Sequence, residues 1–115
     1  MKRTAPRILF FVLLAVSLLT ARLAARQLET AATSPSVHID NFTFTPQEIT
    51  ITRGATVTWV NDDDIPHAIA ASDKAFRSKA MDTEEKFSFK FNEPGTYEYF
   101  CSLHPHMQGK VIVKD

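Results

Sequence analysis

The chain has 115 residues, room for one domain, with an ordinary apolar content of 44% that is enough for a packed core. Its thirteen basic and thirteen acidic residues balance, but the balance conceals an asymmetry: from Arg26 onward nine Lys and Arg face thirteen Asp and Glu, a net charge of −4. No basic stripe is left to hold a nucleic acid, and a mildly acidic body attracts a basic partner surface instead.

The basic excess lies at the N-terminus. Lys2, Arg3 and Arg7 precede the apolar run Ile8 to Ala21, fourteen residues long, short for a membrane span and suited to the apolar region of a secretory signal. Small residues offer cleavage after Ala25 or after Ala32. Residues 1–25 are therefore expected to be a Sec-type signal peptide and residues 26–36 a polar linker, with a single domain over 37–115. The chain is expected to be exported, to a periplasm or its equivalent. The alternative is an uncleaved N-terminal segment that anchors it to the membrane.

From Val37 the pattern becomes short alternating runs. Val37-His38-Ile39 and Phe42-Thr43-Phe44 make a first strand region with its apolar residues on one face, and Pro46 punctuates it. Ile49-Thr50-Ile51-Thr52 alternates before a turn at Arg53-Gly54, and Val57 to Asn61 follows with Val57 and Trp59 inward. Asp62-Asp63-Asp64 reads as a solvated loop, and His67 to Ala70 as a short returning strand. Ala71 to Glu85 is irregular; Phe76 and Met81 are expected to anchor it, and a helical turn fits. Phe87, Phe89 and Phe91 alternate toward the core, Glu93-Pro94-Gly95 fits a type II turn, and Thr96 to Cys101 and Val111 to Val113 close the series. Seven or eight short strands at regular spacing predict an all-β antiparallel sandwich.

The chemistry concentrates in Cys101-Ser102-Leu103-His104-Pro105-His106-Met107. Cys101 is the single cysteine of the sequence. In an oxidising compartment a thiol without a partner in its own chain has a function or is a liability, and holding a metal as thiolate is such a function. Thiolate, imidazole and thioether suit copper, whereas magnesium and calcium want oxygen. A trigonal His2Cys site with a long axial Met marks blue copper, and it needs one more histidine from elsewhere. His67, stiffened by Pro66, offers it. Alternation puts Tyr97, Tyr99 and Cys101 on the core face and Phe100 outside. Alternation with Val37 and Ile39 likewise leaves His38 exposed and uninvolved; His106 is read as a surface residue because His104, two positions earlier, already takes the site, and Met81 as packing.

The stretches Thr56-Val57-Thr58-Trp59-Val60-Asn61, Pro66-His67, Gly95-Thr96-Tyr97-Glu98-Tyr99, Cys101-x-x-His104-Pro105-x-Met107 and Gly109-Lys110-Val111-Ile112-Val113 resemble the amicyanin and plastocyanin type of cupredoxin, from about Val37 to the end. The short Cys-x2-His-x2-Met loop is the amicyanin form. The resemblance implies a Greek-key sandwich with one copper ion at one end, held by His67, Cys101 and His104, with Met107 as the weak axial ligand, and electron exchange through the edge of His104. The chain departs from the family in two places: Ala68 stands where Asn ties the ligand loops together, and His106 stands where an apolar residue is usual. The expected function is one-electron transfer by a monomer, with redox partner proteins docking near His104; the alternative is copper binding and delivery without redox turnover. Catalysis by a multicopper centre is excluded by four histidines, and a binuclear centre by one cysteine.

Overall fold

The computed structural model describes residues 34–115. The expected signal peptide, its cleavage sites and most of the linker lie outside the described residues. Among the described residues no helix is long and apolar enough to cross a membrane.

Eight strands form two four-stranded sheets: β1 (Ser36–Asp40), β2 (Thr43–Thr45), β3 (Glu48–Thr52), β4 (Thr56–Asn61), β5 (Ile69–Ala71), β6 (Lys86–Lys90), β7 (Gly95–Cys101) and β8 (His104–Lys114). One sheet has the order β2-β1-β4-β6 and the other β3-β8-β7-β5. Only β1–β2 and β7–β8 follow one another within a sheet; every connection between β2 and β7 crosses from one sheet to the other. The sandwich expected from the alternation is present. Within it, β1 pairs with β4 and β3 with β8 in parallel. Alternation does not report strand direction, because a half-buried strand has period two either way.

The core forms where the two inner faces meet. Val37, Ile39, Val57 and Trp59 come from one sheet, and Ile51, Ile69, Tyr99, Val111 and Val113 from the other. Trp59 sits in an aromatic cluster, 5.5 Å from Phe76, 5.7 Å from Phe87 and edge-on to Tyr99 at 5.4 Å between ring centroids. Buried aromatic pairs of this kind add roughly 0.5–1.5 kcal/mol each beyond area burial. Phe76 and Met81 anchor the irregular segment as expected, and both are buried. That segment holds turns rather than a helical turn, tied down by isolated bridges between Ala70 and Arg77 and between His67 and Met81.

Three local expectations change. Val37 to Phe44 is a hairpin of two strands, and Asn41 and Phe42 form its two-residue connection with φ of 49° and 57°. Phe42 is therefore not on the core face but at the surface, 46% exposed. The type II turn at Pro94 does not form: Gly95 has φ 148° as the first residue of β7, where the third position of such a turn needs about +80°. Finally, β8 begins at His104 rather than after Gly109, because Cys101 pairs directly with His104.

Candidate metal centre

The pairing pattern at one end of the sandwich assembles the site. β7 delivers Cys101 inward at its last residue, with no exposed surface. Ile69 on β5 lies opposite Cys101, so His67 two residues earlier arrives beside the sulfur. Backbone hydrogen bonds in both directions with Met81, 3.1 and 2.7 Å, fix His67 in place. On the other side the β7–β8 register breaks: Phe100 pairs with Gln108 and Cys101 with His104, leaving residues 105–107 without counterparts. This bulge starts the returning strand at a ligand candidate and carries buried Met107 three residues further on.

His67, Cys101 and His104 each offer a ligand atom, and these atoms all lie within 4.8 Å of one another. Cys101 Sγ is 3.6 Å from His67 Nδ1 and 3.7 Å from His104 Nδ1. Bond lengths of about 2.1 Å for nitrogen and 2.3 Å for sulfur turn these separations into angles of roughly 110–115° at a shared ion, between the tetrahedral and trigonal values. The donor set thus fits one soft or borderline cation. His67 and Cys101 are fully buried, and His104 is half-buried.

The sulfur also has a hydrogen bond. The backbone N–H of Ala68 donates to Cys101 Sγ at 3.4 Å, and the N–H of Ser102 donates to the Ala68 carbonyl at 3.1 Å. The two loops are tied by backbone, independently of the side chain at position 68.

The reading of Asp62 to Asp64 as a solvated loop is corrected at its centre. Asp62 and Asp64 are exposed, but Asp63 is buried, 9% exposed. His67 Nε2 lies 2.8 Å from Asp63 Oδ2. A carboxylate there accepts a hydrogen bond from Nε2–H and so keeps that proton on Nε2 and the Nδ1 lone pair toward Cys101, the tautomer a metal at Nδ1 requires. Burial pushes the Asp63 carboxyl up, but hydrogen bonds from the amides of Phe42 and Asn41 and from His67 outweigh it and hold its pKa below the ordinary carboxylate value. The loop is shaped by Asn61, whose side chain donates to the carbonyls of Ile65 and Met81 at 2.8 and 2.9 Å and accepts from the Asp63 amide at 2.9 Å. The sequence signals only that the loop is ordered, through the Asx turn that Asn61 can start; the amide it binds belongs to the backbone, so the turn does not single out Asp63 from its neighbours.

The exposure expected of two other histidines is observed. His106 is exposed. His38 is exposed as well, paired with Asp62 at 2.7 Å and outside the cluster of donors.

Residues 31–114 match the family described as copper binding proteins, plastocyanin/azurin family. The chain belongs to that family. It is 41% identical over 83 residues to amicyanin of Paracoccus versutus, an alignment that covers 68% of this chain and 63% of that protein. It is 36% identical over 114 residues to amicyanin-alpha of Methylorubrum extorquens, covering 91% of this chain and 96% of that protein. Among solved structures, the reduced state of an amicyanin variant superposes with a TM-score of 0.68 at 34% identity, over 73% of this chain and 85% of that one. The purple cupredoxin of Nitrosopumilus maritimus gives 0.67 at 34% identity, over 70% of this chain and 99% of that one. Copper is the metal of this family, and the thiolate and two imidazoles assembled at the end of this cupredoxin sandwich suit it.

Proposed function

We propose that this chain is an exported one-electron carrier, a type 1 copper protein rather than an enzyme, with His67, Cys101 and His104 as equatorial ligands and Met107 as the weak axial one. The observation that carries this reading is the convergence of Cys101 Sγ with two imidazole nitrogens at 3.6 and 3.7 Å. Copper in such a site supplies a one-electron couple between Cu(I) and Cu(II). The protein's part is to hold the donors still. Met81 and Asp63 fix His67, the Ala68 amide stabilises charge on the sulfur, and the buried core behind Cys101 excludes water. Donors already in place need little rearrangement when the charge changes.

Partners would dock at the end of the sandwich where His104 is half-buried. Leu103 beside it, 49% exposed, and Phe42, 46% exposed, are the exposed large apolar residues of the described chain. The −4 charge from Arg26 onward suits a partner with a basic surface. Export follows from the basic N-terminus and the apolar run Ile8 to Ala21.

Optical and paramagnetic-resonance spectra of the copper-loaded protein test the assignment. Intense blue absorption from sulfur-to-copper charge transfer is expected, and Cys101→Ser should abolish it while far-ultraviolet dichroism stays β-rich. A Cys101→Ser protein that is still blue overturns the ligand set.

A further inference from the structure

Phe42 stands where its hairpin would ordinarily have glycine. Asp40 pairs with Thr43, so Asn41 and Phe42 alone make the connection, both with positive φ. Two-residue turns of this shape favour Asn-Gly. Asn tolerates the left-handed region, but a bulky aromatic residue there is strained, and such strain persists where the surroundings impose it.

The surroundings are the metal centre. The Phe42 ring lies edge-on to His67 at 5.7 Å and to His104 at 5.1 Å, and those two rings are themselves 5.1 Å apart. Asp63 meets the same turn from below. Its Oδ1 accepts from the Asn41 amide at 2.7 Å and its Oδ2 from the Phe42 amide at 3.1 Å, while Oδ2 also faces His67 Nε2 at 2.8 Å. One buried carboxylate therefore grips both a candidate ligand and the turn that lays an aromatic ring across both histidines.

We propose that Asp63 and Phe42 act together as positioning residues of the metal centre: Asp63 sets the tautomer of His67 and clamps the Asn41–Phe42 turn, and the clamped Phe42 ring covers the two histidines and slows copper exchange. This rests on the copper reading above. It explains why the turn holds Phe42 rather than glycine, and why a carboxylate rather than an amide occupies position 63. In Asp63→Asn the side-chain amide would have one accepting oxygen for three donors. With that oxygen toward His67, its NH2 meets the Asn41 amide; turned round, its NH2 donates to Nε2 and favours the proton on Nδ1, the nitrogen nearest the sulfur.

The test is the rate at which copper-loaded protein loses its blue band to excess chelator. It compares wild type, Phe42→Ala, Phe42→Gly, Asp63→Ala, Asp63→Asn and the Phe42→Ala/Asp63→Ala double variant. Chelator competition gives the affinities. Asp63→Ala and Asp63→Asn are expected to weaken copper binding about 10- to 100-fold, the usual effect of removing a partner that orients a ligand. Phe42→Ala should speed copper loss and leave the band in place. The double variant should lose copper little faster than Asp63→Ala, because the ring is already released. Phe42→Gly separates cover from stability: it relieves the turn, so the protein should melt higher yet release copper faster. Copper loss from Phe42→Gly as slow as from wild type overturns the proposal, as does a double variant whose acceleration is the product of the two single effects. A wild type that takes up no copper overturns the preceding reading and this one with it; a blue wild type whose variants all hold copper equally overturns this one alone.

Discussion

Tyr99 gives a prediction whose size follows from its burial. The phenol is 1% exposed, and its Oη has no hydrogen-bond partner. Burial pushes its pKa from 10.0 up to about 12. Attraction to the Trp59 indole works weakly the other way, but it falls short of hydrogen-bond geometry, since Trp59 Nε1 is also buried without a partner. The sign follows from which state holds the proton. Between pH 10 and 12 the unfolded chain has lost it and the folded protein keeps it, so the contribution of this group to stability is complete below pH 10 and falls as pH rises toward the folded pKa. A shift of about two units corresponds to roughly 3 kcal/mol, a large part of a typical folding free energy. Tyr99→Phe removes the titration and leaves the ring packing on Trp59 and Phe44, at 5.4 and 4.9 Å, in place. Urea unfolding of the copper-free protein at pH 7, 10 and 12 measures it. At pH 7 the variant should equal or exceed wild type, because a buried hydroxyl without a partner destabilises by roughly 1–3 kcal/mol. By pH 12, where the folded phenol is itself half ionised, the gap between variant and wild type should have widened by about 2 kcal/mol. The difference between the two proteins cancels every titration they share. Parallel pH profiles for the two would refute the reasoning, and so would a phenolate absorption that titrates near pH 10 in the folded wild type.

Met107→Leu should move the reduction potential more than it weakens copper binding: loss of a weak donor disfavours Cu(II) more than Cu(I), and each tenfold difference between the two is about 59 mV, read by voltammetry. Gly109→Ala should destabilise the fold by about 1–3 kcal/mol in thermal or urea melts, because a Cβ at that position overlaps the end of the Tyr99 ring, which must shift from its packing in the core. His106→Phe should leave the blue spectrum unchanged, since His106 is exposed on the bulge and takes no part in the cluster of donors; a lost spectrum would show that the histidines are wrongly assigned.

The sandwich was legible because most of its strands carry a period of two, the short β5, buried at all three positions, being the clear exception. β4 reads as alternating half-buried and buried residues from Thr56 to Asn61, as its sequence TVTWVN predicts. The ligand candidates were legible because three of them lie within seven residues. What stayed hidden depends on register and on backbone. The parity of Phe42 with Phe44 suggested a shared face, but the two-residue turn places Phe42 outside the ladder. The early start of β8 depends on where the strand slips against β7, and no single residue type announces a slip. Asp63 was lost between two identical neighbours: alternation across a loop carries no burial signal, and only the fold reveals that one of three carboxylates faces a histidine.

The departure at Ala68 shows how a missing side chain can leave a site intact. The family's Asn at this position joins the ligand loops through its side chain, so its replacement by Ala should loosen them. Here the loops are joined by the N–H of Ala68 on Cys101 Sγ and by its carbonyl accepting from Ser102. Both groups belong to the backbone and survive any substitution other than proline. What holds position 68 is then the pairing of Ile69 with Cys101, which lines the two backbones up, and the His67–Met81 bridge just before it. A hydrogen bond that costs no side-chain entropy and is aimed by a sheet is as firm as the sheet. The sulfur environment, and with it the stabilisation of the reduced state, is therefore written into strand register rather than into the identity of the residue after the histidine.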